Sequence, residues 1–110
     1  MIKDRMVRIK LKKQFHEQRS FCYVGKVTAF SENWVVADVR GIMMSRTQPN
    51  GVQIDEHSSA MMFSRESIDS IRVLPDQYDM KDIQISTEGT QLRLAVKGAM
   101  DAYLGEMGEG

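Results

Sequence analysis

From Met6 to Leu11 the chain reads Met-Val-Arg-Ile-Lys-Leu, with Val7, Ile9 and Leu11 on one side and Arg8, Lys10 and Lys12 on the other. Alternation of this kind predicts a half-buried strand. Residues 13–20 are polar apart from Phe15 and have no period, which predicts a loop. Phe21 to Phe30 is rich in aromatic and β-branched residues and predicts a second strand, with Gly25 at the kind of position where a bent strand lets another backbone approach. After the polar turn Ser31-Glu32-Asn33, a third strand is predicted from Trp34 to Met44. In Gln48-Pro49-Asn50-Gly51, proline presets φ and Asn-Gly tolerates positive φ, a strong turn signal. It makes 34–44 and 52–64 the arms of a long hairpin. The return arm is Val52-Gln53-Ile54, an acidic break at Asp55-Glu56, then Ala60 to Phe63. A last strand is predicted from Ile68 to Leu74, ending at Pro75.

Beyond residue 75 the pattern changes. Leu92, Val96, Ala99, Met100, Tyr103 and Met107 recur at spacings of three and four, which favours a helix with Thr87 as its cap. Gly89, Gly98 and Gly105 each weaken such a helix by about 1 kcal/mol relative to Ala, so it needs a surface to pack on. The alternative is a hairpin of Ile83-Gln84-Ile85 with Leu92-Arg93-Leu94, turning at Glu88-Gly89. The expected organisation is a β domain over 1–75, with the 44–59 segment as a long hairpin insertion, and an extension over 76–110.

With 110 residues the chain is expected to form one domain, and 42% hydrophobic residues with balanced charge argue against disorder. One cysteine excludes an internal disulfide, which points to a reducing compartment. No window approaches the roughly 18 apolar residues of a membrane span, so a cytoplasmic protein is expected. The 15 Lys and Arg and 15 Asp and Glu are unevenly placed. Residues 1–26 carry a balance of +6 and the remainder −6.

Candidate chemistry is sparse. His16, His57 and Cys22 have no metal-ligand spacing, and Cys22, between Phe21 and Tyr23, reads as an inert buried thiol. No glycine-rich phosphate loop is present. The expectation is a protein without catalytic activity, metal or cofactor. Asp55-Glu56-His57 reads as a solvated hairpin edge or as a pH-sensitive patch. Arg5, Arg8, Lys10, Lys12, Lys13 and Arg19, beside Phe15, Phe21 and Tyr23, could hold single-stranded RNA by phosphate attraction and base stacking. Equally, the lysines could guard a solvated strand edge against aggregation.

Val7-Arg8-Ile9-Lys10-Leu11, Gly25-Lys26-Val27-Thr28-Ala29-Phe30 and Trp34-Val35-Val36-Ala37, in that order, resemble the first motif of the Sm-like proteins. Residues 63–75, Phe-Ser-Arg-Glu-Ser-Ile-Asp-Ser-Ile-Arg-Val-Leu-Pro, resemble the second. The placement of Arg65 three residues before Ile68 is similar to the bacterial Hfq branch. Where Hfq carries Lys-His, however, this chain has Arg65-Glu66, and where Hfq carries Asp-Gln-Phe it has Ser31-Glu32-Asn33. The Asp-x-x-x-Asn uridine signature of the archaeal and eukaryotic members is absent.

The resemblance implies a mainly β fold: a small, strongly bent, five-stranded antiparallel barrel, here with a C-terminal extension expected to be helical. It also implies a homo-oligomeric ring of about five to seven subunits, joined by strand-to-strand pairing. Met61, Met62, Phe63, Ile68, Ile71 and Val73 would then lie at the subunit interface. The ring would bind single-stranded RNA through Arg8, Lys10, Lys12, Lys13, Trp34 and Arg65. The competing expectation is a scaffold ring that binds protein partners through the acidic hairpin and the C-terminal segment.

Overall fold

A computed structural model describes residues 2–13, 21–44 and 52–106. The first part of the chain forms β1 (Met6–Leu11), β2 (Phe21–Phe30), β3 (Trp34–Met44), β4 (Val52–Ile54), β5 (Ser59–Ser64) and β6 (Ile68–Val73). A 3₁₀ turn, Arg65–Ser67, joins the last two. All these strands pair antiparallel, in the order β4-β3-β2-β1-β6, while β5 pairs with the first half of β3. On the edge away from β2 the long third strand therefore serves two partners, with Val35 opposite Phe63 near its start and Met44 opposite Val52 at its end. The predicted turn at Gln48-Pro49-Asn50-Gly51 lies outside the described residues, as do Phe15, His16 and Arg19.

The link between β5 and β6 forces this sheet to curl. Laid flat, four inter-strand spacings would separate β5 from β6 by about 19 Å. The three-residue link reaches about 14 Å at full extension, and less as a 3₁₀ turn. Gly25 marks one place where the strands close up, because a Cβ built there would stand 1.9 Å from the Asp38 carbonyl oxygen on β3. The concave side buries Val7, Ile9, Tyr23, Val27, Val35, Ala37, Val39 and Phe63.

The expected C-terminal helix is not what forms. Residues 85–106 make a second antiparallel sheet of β7 (Ile85–Glu88), β8 (Gln91–Leu94) and β9 (Ala102–Glu106), ordered β7-β8-β9. Thr87, expected to cap a helix, is an exposed residue of β7. The turn falls at Gly89, whose φ of 61° suits glycine. Two facts explain the failure of the helical period. Leu94 and Leu104, which do not fit that period, are fully buried, whereas Met100, which it would turn inward, is 74% exposed. In addition, a register shift between Leu92 and Arg93 breaks the regular spacing along β8 and β9.

This small sheet packs on the convex side of the large one. Leu92, Leu94, Val96, Ala102 and Leu104 join Met6, Cys22, Val24, Ile42, Met44, Val52 and Leu74 in a second core. As a result β1, predicted to be half-buried, has Met6, Val7, Arg8 and Ile9 all buried. Cys22 is buried as expected, its thiol facing the Leu104 carbonyl at 3.5 Å. Arg40 ties the intervening chain down, its Nε donating to the Asp55 carbonyl at 2.8 Å and its guanidinium to the Met80 carbonyl at 2.9 Å. No helix among the described residues is long and apolar enough to cross a membrane.

Candidate functional site

Three chain segments meet at one end of the large sheet. They are the Ser31–Asn33 turn between β2 and β3, the Arg65–Ser67 turn between β5 and β6, and the end of β1. The backbone N–H of Arg65 donates to the Asn33 carbonyl at 3.0 Å, and that of Lys12 to the Ser67 carbonyl at 2.8 Å. The Arg65 guanidinium donates to the carbonyls of Ser31 at 3.2 Å and Glu32 at 3.4 Å. Each turn is also closed internally, by Ser67 Oγ donating to the Ser64 carbonyl at 2.7 Å and by the Ser31 N–H donating to the Trp34 carbonyl at 2.8 Å. These bonds gather the adjacent Lys12 and Lys13 with Trp34 and Arg65, three places far apart in sequence. Lys12 and Arg65 are exposed, and Lys13 and Trp34 half-buried. Glu32 and Glu66 are exposed in the same two turns, so the cations share the tip with carboxylates.

Arg8 and Lys10 are not part of this tip. Expected on an exposed basic face, Arg8 is only 6% exposed, because the small sheet covers that side of β1. Its guanidinium donates to Ser70 Oγ at 3.0 Å, while its Nε is buried with no hydrogen-bond partner among the described residues. Burial, and secondarily the neighbouring Arg72, hold its pKa below the ordinary value. Lys10 is half-buried, with its ammonium 5.7 Å from the centre of the Tyr103 ring, within cation–π reach.

The six expected interface residues divide in the same way. Met62 on β5 and Val73 on β6 are 68% and 42% exposed. Met61, Ile68 and Ile71 are half-buried at the margin of the concave core. Phe63 belongs to that core instead, packed on Tyr23 with ring centres 4.9 Å apart, so its own subunit already covers it. Asp55, Glu56 and His57 are exposed at the foot of β5, and Asp55 accepts a hydrogen bond from the Gly41 N–H at 3.1 Å.

Sequence reasoning missed Arg72, which donates to the carbonyls of Met100 at 2.7 Å and Asp101 at 2.8 Å and so latches the extension to β6. It also missed a cleft of about 780 Å³, whose lining includes Tyr78, Asp79, Asp82, Val96 and Asp101. The Asp101 carboxylate accepts from Ser86 Oγ at 2.7 Å and from the Val96 N–H at 3.1 Å, and these bonds lower its pKa. The Tyr78 hydroxyl is buried with no partner among the described residues, and burial pushes its pKa up to about 12. Only alternation on β6, which sets Arg72 opposite to Ile71 and Val73, hinted at any of this.

No protein-family model matches the chain, and neither does any curated protein or solved structure.

Proposed function

We propose that the chain is an Sm-like protein whose curled large sheet is a five-stranded barrel, that copies of it assemble into a homo-oligomeric ring, and that the ring binds single-stranded RNA. One observation carries the reading. Strands β5 and β6 sit at the two ends of the order β5-β3-β2-β1-β6, and among the described residues each is paired on one edge only. Their outer edges present backbone donors and acceptors to which another strand can add. This is the order, with a short turn between the last two strands, in which the fourth strand of one Sm-like subunit pairs with the fifth of the next. At the gathered tip, Lys12, Lys13 and Arg65 would draw phosphates and Trp34 would offer part of a ring face for stacking. A ring repeats that tip once per subunit and multiplies its field.

Light scattering tests the assembly, and titration of fluorescent U-rich, A-rich and mixed single strands at two salt concentrations tests the binding. The expected results are five to seven subunits, about as in the family, and affinity falling with salt at a logarithmic slope of about 0.7 per phosphate contacted. Lys12→Ala with Lys13→Ala should weaken all strands alike. A monomer at micromolar concentration would overturn the ring. An intact ring with no binding at low salt would leave the protein-scaffold reading, which is favoured by Glu32 and Glu66 beside the cations and by the cover over Arg8 and Lys10.

A further inference from the structure

The large hydrophobic residues found exposed among the described residues are Met62, Val73 and Met100. Two lie on the strands with open edges, Met62 on β5 and Val73 on β6. The third lies in the extension, at the residue whose carbonyl Arg72 of β6 grips at 2.7 Å. Exposed apolar residues at both open edges, Met62 on β5 and Val73 on β6 with Met100 held beside it, are therefore not scattered surface, because neither edge has a partner strand among the described residues.

Face matching decides what each would meet. When one strand adds to the edge of another the sheet continues, so concave residues meet concave residues and convex meet convex. On β5, Met61 and Phe63 pair with Ala37 and Val35, both in the concave core, so Met62 is convex. On β6, Val73 pairs with Val7, which is concave, and Arg72 pairs with Arg8, which is convex. The Arg72 side chain leaves β6 on its convex face and holds the backbone at Met100 and Asp101 there. The Met62 side chain of an incoming β5 thus arrives on the same face as Met100.

We infer that the C-terminal extension is part of the subunit interface, Met100 of one copy covering Met62 of the next. This rests on the ring reading and adds to it. The small sheet becomes a bracket that widens a contact otherwise limited to two strand edges, and Arg72 becomes the residue that positions it. The partner is a second copy of this chain because the same molecule carries both halves of the contact, which a head-to-tail ring uses once per subunit.

The test is cross-linking of the full chain with a short bismaleimide. The variant carrying both Met62→Cys and Met100→Cys should give a covalent ladder reaching the ring size. Each single variant can give dimers at most, and wild type, with Cys22 fully buried, should give none. Met100→Asp, a change at an exposed position of the subunit, should weaken assembly about tenfold in a dilution series followed by light scattering, the loss of one buried apolar contact. A ring of unchanged size and strength with no ladder overturns the inference while leaving the ring standing. A monomeric wild type overturns both.

Discussion

Arg8 and Arg72 stand directly opposite one another across the β1–β6 ladder, two cations on the convex face of the same sheet. Like charges in this position repel. The structure resolves the conflict by separating their heads. Arg72 reaches out to the carbonyls of Met100 and Asp101, whereas Arg8 stays under the small sheet, where Ser70 Oγ is its one hydrogen-bond acceptor among the described residues.

The two arginines should therefore respond oppositely to the same substitution. Arg8→Met removes a buried cation with an unsatisfied Nε and keeps most of its volume, so urea unfolding should show stability unchanged or raised by about 1–2 kcal/mol. Arg72→Met abandons two carbonyls held by a charged donor and should cost about 1–3 kcal/mol. Equal losses in both variants would contradict this account.

Tyr78 makes the protein sensitive to alkali. Its hydroxyl has a pKa of about 12 in the fold, against about 10 in the unfolded chain. Above pH 10 the unfolded state loses the proton first, so this group's contribution is complete below pH 10 and is lost as pH rises toward 12. Tyr78→Phe keeps the ring and discards the unpartnered hydroxyl. Melts taken across that range should show the variant at least as stable as wild type at neutral pH and free of this part of the alkaline decline.

Gly25 is required by contact rather than by its φ. A methyl group there would stand 1.9 Å from the Asp38 carbonyl oxygen and 2.7 Å from the Val39 Cα, both of them backbone atoms that cannot swing aside. Gly25→Ala should cost about 3 kcal/mol or more, or abolish folding. Thermal unfolding that matches wild type would mean that β2 and β3 do not approach in this way.

The sequence by itself determined most of the large sheet. Alternation places β1, the β-branched and aromatic runs place β2 and β3, and the acidic break at Asp55-Glu56 separates β4 from β5, because each signal lies within a few residues of the strand it specifies. Gly25 was legible for the same reason. What lay beyond that reach was everything that depends on the far end of the chain. Residues 85–106 carry both a helical spacing and a strand alternation, and the choice fell to the strands because Leu92, Leu94 and Leu104 find the convex side of the first sheet to cover. That docking turned the polar side of β1 into an interior, burying Arg8 and placing Lys10 over Tyr103, which no local pattern in Met6–Leu11 records. The gathering of Lys12, Trp34 and Arg65 was likewise a tertiary decision. Those residues meet because a three-residue link between the two end strands is too short for a flat sheet.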